Sequence, residues 1–291
     1  MSIRLAYLGH VNIDRILTVK RLPETGSEEV ISTREVNGGT AGNFAIVAAR
    51  LGMKFDLYSA VSNKSHHSYI QYLEGLGVDC GLIERSDRYG PVCTIVSDGA
   101  EQIAFMDQGP MSEWKASSSF RLDRSYDWVH FSTGPPGEYL RIAEAVKGRT
   151  RITFDPGQEI NYRYDKDTVK KFTDLSDLVI CNSSELDRIA SLLGIRRKDV
   201  LEHLPDTIVT MGSGGVEFSI SGKREHLDPV IPERVVDTVG AGDAFRAGFY
   251  FGLNTGKNIV QSIRIGQNVA SSVIASSPST FNPDRIADLK R

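Results

Sequence analysis

Short apolar runs recur at Ile3–Leu8, Phe55–Val61, Trp128–Ser132, Arg151–Phe154, Leu178–Cys181 and Thr207–Thr210. Several are apolar at successive positions, as in strands covered on both faces, and this predicts a mostly parallel sheet. Between them apolar residues return at helical spacing, predicting helices near Ala41–Leu51, Tyr69–Leu76, Glu138–Val146, Ser184–Leu193, Ala241–Leu253 and Ile259–Ala275. Alternation of this kind predicts the α/β class, with a doubly wound sheet flanked by helices. Two stretches, about 11–36 and 91–106, break it: Glu29–Val36, Val92–Ser97 and Gln102–Met106 alternate polar and apolar with no helix between them. A small separate β-sheet is expected there. Ser117–Ser119 reads as a short polar loop, and no repeat or linker divides the 291 residues, so a single domain over 1–291 is expected.

Composition narrows the partners. A net charge of −3 provides no broad basic field, so nucleic acid and membrane surfaces are not expected partners. An anionic ligand would need local devices, such as loop amides and a few cations. Cys80, Cys93 and Cys181 stand alone, without metal-ligand spacing, which fits a reducing compartment. The N-terminus reads as a strand, without the features of a signal peptide, and no run approaches the roughly 18 apolar residues of a membrane span. A cytoplasmic location is expected.

The densest signal is DTVGAGDAFRAG over 237–248, running into a helical pattern. Gly240 and Gly242 allow a tight turn and close backbone approach to a ligand. The amides of Ala241, Gly242 and Asp243 would then open a helix, whose unpaired N–H groups and positive dipole end favour a phosphate. A carboxylate in that turn can take a proton from an attacking hydroxyl, or serve only as a helix cap. The second signal is NGGTAGNF over 37–44. Its glycines suit a hinge and Asn43 matches sugar hydroxyls, although a glycine turn with a surface asparagine reads alike.

Together, Gly-Gly-x-x-x-Asn early and Asp-Thr-x-Gly-Ala-Gly-Asp late resemble the paired signatures of the ribokinase/PfkB carbohydrate kinases, over essentially the whole chain. The resemblance implies a ribokinase-like fold with the small sheet, about 11–36 and 91–106, as a lid. It implies ATP and Mg2+ as cofactors, Asp243 as general base, and Gly240, Ala241 and Gly242 around the transferring phosphate. Asp14, taken to end the first strand, would grip two substrate hydroxyls beside Gly39 and Asn43. Asn182 and Glu185, in NSSE over 182–185, would order the nucleotide and the metal, Glu185 through water; the same residues spell a capping box. Thr210, Gly212 and Gly215 resemble the family's nucleotide loop, and Gln158 is expected beside it. A monovalent cation is a further implied cofactor, although the stretch 267–278 is shorter than the ribokinase pattern, so Asn268 is not carried over.

Within the family, DPGQ at 155–158, HFSTGPP at 130–136, Arg246 and the segment QIAFM at 102–106 look most like the archaeal nucleoside kinase branch. Phe105 and Met106 would offer an apolar face to a base, or simply pack the small sheet. The expected activity is transfer to the primary, 5'-type hydroxyl of a ribonucleoside. The alternatives are a kinase for ribose, fructose or 2-keto-3-deoxygluconate, and a non-catalytic nucleoside- or sugar-binding module. Binding alone needs no base, so Asp243 speaks against the last. A P-loop is excluded because Gly252–Asn258 has the wrong spacing, and a dinucleotide fold because Gly9 opens no G-x-G-x-x-G. The edges of the lid would suit a homodimer.

Overall fold

A computed structural model describes residues 2–286; Met1 and residues 287–291, included in the single-domain expectation, lie outside the described residues. The strands are β1 (Leu5–Leu8), β2 (Asn12–Val19), β3 (Val30–Gly38), β4 (Asp56–Ser62), β5 (Ile83–Ser86), β6 (Val92–Ser97) and β7 (Gln102–Asp107). They continue as β8 (Trp128–Phe131), β9 (Arg151–Phe154), β10 (Leu178–Asn182), β11 (Asp206–Thr210), β12 (Val216–Ile220) and β13 (Lys223–Leu227). The helices are α1 (Thr40–Arg50), α2 (His67–Gly75), α3 (Ala116–Ser119), α4 (Pro136–Val146), α5 (Lys166–Leu175), α6 (Ser183–Leu193), α7 (Ala241–Asn254) and α8 (Ile259–Ile274).

Nine strands form the main sheet in the order β13-β12-β11-β10-β9-β8-β1-β4-β5. Pairing is parallel from β5 to β11, and β12 and β13 add antiparallel at one edge. The fully buried strands β1 and β8 are apolar at nearly every position because helices cover both faces. One apolar cluster joins the sheet to α1, α2, α7 and α8, and another joins its opposite face to α4, α5 and α6. β1 lies between β4 and β8, so the direction of winding reverses there, and a crevice opens beyond the carboxyl ends of the strands.

The second sheet has four strands in the order β3-β2-β6-β7. β2 pairs antiparallel with β3 and parallel with β6, and β6 pairs antiparallel with β7. The six predicted helices are present to within a few residues. Two expectations need correction. Ser117–Ser119 belongs to α3 rather than to a loop. Asp14 does not end the first strand but lies inside β2, because the chain passes from β1 into the small sheet within three residues, Gly9 to Val11. The main sheet is mostly parallel, as expected, with antiparallel pairing at its β13 edge, where the exposed, charged KREHL of β13 carries no apolar signal. Among the described residues no helix is long and apolar enough to cross a membrane.

Candidate active site

A cavity of about 810 Å³ lies between the carboxyl ends of the main sheet, the small sheet and the start of α7. Alternation along the small sheet decides which side chains reach it. Asp14 and Cys93 pair across β2 and β6, and Ile95 pairs with Ala104, so these residues share the cavity face with Met106. Phe105 therefore points to the opposite face, where it is 60% exposed beside Ile103. Phe105, expected at the substrate, is not among the residues lining the cavity, whereas Met106 and Ala104 are.

The remaining expected positions all border the cavity. Asp14, Gly39 and Asn43 lie toward the small sheet, and Gly240, Ala241, Gly242 and Asp243 at the start of α7. Gln158, Asn182, Glu185, Thr210, Gly212 and Gly215 border the side nearer the main sheet. Positions 14, 43 and 243 are distant in sequence, and the topology joins them because α1 and α7 pack together while β2 leaves the centre of the sheet.

Asn43 Nδ2 donates to Asp243 Oδ2 at 2.9 Å, so a residue expected to meet sugar also orients the carboxyl. Burial raises the pKa of Asp243 to about 7; Arg246 and the Asn43 bond oppose the rise, and Asp155 and Asp14 add to it. Burial also raises Asp14 to about 6, against a 2.6 Å hydrogen bond donated by Asn12 Nδ2. The Asp243 carboxyl therefore holds a proton more readily than a solvent-exposed aspartate does.

α7 starts after Gly240, whose φ is 76°. Ala241 N donates to Thr238 O at 3.2 Å, and among the described residues no acceptor is recorded for the amides of Gly242 or Asp243. Two unpaired N–H groups at a positive helix end form a ready anion site.

Asn182 and Glu185 do form the capping box of α6: Glu185 N donates to Asn182 Oδ1 at 2.9 Å, and Asn182 N to Glu185 Oε2 at 2.8 Å. Burial raises the Glu185 carboxyl above its usual range, Asp155 adds to this and Arg246 opposes it. Among the described residues no group of three or more acidic, His or Cys side chains could cage a metal. The donor set fits a magnesium ion carried by phosphates and water rather than one caged by protein side chains.

The sequence motifs assign no role to several other residues at the cavity. His10, Thr133 and Glu159 follow β1, β8 and β9, and a chain of hydrogen bonds ties them to Gln108 just after β7. His10 Nδ1 meets Thr133 Oγ1 at 2.9 Å, His10 Nε2 meets Gln108 Oε1 at 2.7 Å, and Gln108 Nε2 donates to Glu159 Oε1 at 2.6 Å. The apolar residues Val230, Ile231 and Val235 form part of the cavity wall. Their only sequence signal was an apolar run among prolines.

The model for "pfkB family carbohydrate kinase" matches residues 2–285. The chain is 41% identical over 288 residues to a nucleoside kinase of Thermoplasma acidophilum, covering 99% of this chain and 94% of that protein. It is 30% identical to a nucleoside kinase of Methanothermobacter thermautotrophicus, covering 99% and 94%. The crystal structure of Methanocaldococcus jannaschii nucleoside kinase superposes with a TM-score of 0.87 at 28% identity, over 98% of this chain and 97% of that one. The inosine complex of Burkholderia thailandensis nucleoside kinase shares the fold, with a TM-score of 0.86 at 22% identity over 96% and 94% of the two chains. With the full-length match and the two sheets in agreement, the chain belongs to the pfkB family of carbohydrate kinases, and is a sugar or nucleoside kinase of the ribokinase-like fold.

Proposed function

We propose that the protein transfers the γ-phosphoryl group of ATP to the primary, 5'-type hydroxyl of a ribonucleoside, with Asp243 as general base. The observation that carries this reading is the position of Asp243: it is half-buried at the open start of α7, bonded to Asn43, with Asp14 on the same cavity. The hydroxyl oxygen attacks the γ-phosphorus as its proton passes to an Asp243 carboxylate oxygen, and the bond to the bridging oxygen of ADP breaks. The amides of Gly242 and Asp243 receive the charge that gathers on the transferring group. Magnesium bound with the nucleotide would supply further positive charge, with Glu185 reaching it through water.

Asp14, Gly39 and Asn43 would hold the ribose, and a 2'-deoxy substrate would leave buried polar groups unpaired. Ile95, Ala104 and Met106 offer the base an apolar face without a demanding hydrogen-bond code, a surface that ribose or fructose alone would not need. The nucleotide would lie along Thr210, Gly212 and Gly215, with Gln158 and Asn182 toward its phosphates and its adenine on the Val230–Val235 wall. The small sheet would act as a lid that excludes water, within a single catalytic domain. Its outer face, with Ile103 and Phe105 exposed, would pack on a second copy, and sedimentation showing only monomer at micromolar concentration would remove that arrangement.

A coupled ADP-release screen with Mg2+-ATP, with and without potassium, tests the assignment across ribonucleosides, 2'-deoxynucleosides, ribose, fructose and 2-keto-3-deoxygluconate. Ribonucleosides are expected to give the highest kcat/KM, at least about tenfold above their deoxy forms. A sugar preferred over every nucleoside would overturn the substrate class.

A further inference from the structure

Helix α7 is apolar along most of its length, yet it carries Arg246 in its second turn, 7% exposed. A buried guanidinium demands a partner. Asp155, at the carboxyl end of β9 and 1% exposed, receives it on both oxygens: Arg246 Nη2 donates to Oδ1 at 2.6 Å, and Nε donates to Oδ2. His130 Nε2 lies 3.1 Å from the same Oδ2, and Tyr250 lies behind His130 at 3.0 Å, so the carboxylate cannot swing away. Asp155 is held below the usual carboxylate range: burial works against its charge, but Arg246 and His130 outweigh it.

This clamp leaves Nη1 of Arg246 directed back along α7. A side chain at position 242 would place its Cβ 2.6 Å from Nη1, which is why the close approach requires glycine there. Arg246 also follows Asp243 by three residues, so the two side chains share a helix face and both border the cavity. The guanidinium thus sits beside Gly242 of the anion site, on the helix face that carries the proposed base.

We propose that Arg246, clamped by Asp155, is a positioning residue for phosphoryl transfer, its fixed charge facing Asp243 and holding that carboxyl as the proton acceptor. The inference rests on the reading of Asp243 as general base. The groups facing Asp243 are Asp14 from β2, Asn43 from α1, Asp155 after β9 and Arg246 from its own helix, with the Tyr7 and Tyr69 hydroxyls from β1 and α2. Among them Arg246 is the cation, and Asp155 opposes it as an anion.

The two members of the pair therefore act on Asp243 with opposite sign. Removing the cation makes Asp243 harder to ionise, and removing Asp155 makes it easier. The test is the pH dependence of kcat/KM for nucleoside in Arg246→Gln, Asp155→Asn and Arg246→Lys, with thermal unfolding to establish that each variant folds. In Arg246→Gln the acid limb moves to higher pH, so activity near pH 6.5 relative to pH 9 falls about tenfold below the wild-type ratio. In Asp155→Asn the limb moves to lower pH, and Arg246→Lys, which keeps the charge, stays near wild type. A merely structural pair would lower activity equally at every pH. Limbs that stay put, or that move the same way in Arg246→Gln and Asp155→Asn, overturn the proposal. If Arg246→Gln does not fold, Asp155→Asn decides: a limb moved to lower pH while that of Arg246→Lys stays near wild type supports the proposal, and an unmoved limb or one moved to higher pH overturns it. Asp243→Asn, measured alongside, separates the two levels: an active variant sinks the base assignment, and an inactive one with unmoved limbs sinks only the role of Arg246.

Discussion

Helices α1 and α7 pack against each other and begin at the same cavity, one after Gly39 at φ 89° and the other after Gly240 at φ 76°. At α1 the His10 carbonyl accepts from the amides of Ala41 at 2.9 Å and Gly42 at 3.1 Å, so the positive helix end is already occupied by backbone. The first turn of α1 holds no acid. At α7 the amides of Gly242 and Asp243 have no recorded acceptor among the described residues, and the first turn holds Asp243. Two glycine-led helix starts of similar appearance thus differ in what faces their amides. The start of α1 is a joint that ties the small sheet to the main one, and the start of α7 is free to take an anion.

The sharpest way to break this contrast is at Asp243. Asp243→Asn should lower kcat by roughly 10²–10⁴ with the fold intact, and a variant keeping more than a tenth of wild-type kcat would remove the base. The same variant should be more heat-stable at pH 8. The folded-state pKa of Asp243 lies near 7, above the ordinary carboxylate value, so ionising it in the folded state is unfavourable. The penalty is absent below the unfolded pKa, grows as pH rises toward 7 and is complete above it, so the stability gain should fade as pH falls toward 4. Thermal scans across that range check the sign.

Next in size is Gly242→Ala, whose Cβ would displace Arg246 and disturb the open amides. A fall in kcat of about tenfold to a hundredfold is expected in steady-state assays. Asp14→Asn should raise the nucleoside KM by about tenfold, with a smaller change in the KM for ATP. At the α1 joint the effect should fall on stability: a side chain at Gly39 would collide with the His10 carbonyl, and Gly39→Ala should cost about 1–3 kcal/mol in denaturant unfolding. Phe105→Ala, on the outer face, should change the nucleoside KM by less than about twofold, whereas Met106→Ala should change it more.

The central alternation was legible in the sequence because buried parallel strands are apolar at successive positions and their helices carry a regular stripe. Elements without that contrast were missed. β5 has four residues, one of them buried; β13 is charged; and α5 buries three of its ten residues among lysines and aspartates. The motif residues were legible because a close phosphate and a proton acceptor restrict residue types at fixed spacing. Phe105 was misplaced for a different reason: Ile103 and Phe105 alternate with Ala104 and Met106, so both faces of β7 are apolar and the sequence does not say which one is inward. The Arg246–Asp155 clamp joins positions 91 residues apart, and although DPGQ and Arg246 each stand out in the sequence, nothing in it pairs them.

The most direct test of the contrast between the two helix starts is a crystal structure of the protein with a non-hydrolysable ATP analogue, magnesium and a ribonucleoside. The terminal phosphate should lie about 3 Å from the amides of Gly242 and Asp243, with the nucleoside primary hydroxyl against the Asp243 carboxyl. A terminal phosphate bound elsewhere, with the start of α7 empty and Asp243 away from the hydroxyl, would contradict the account.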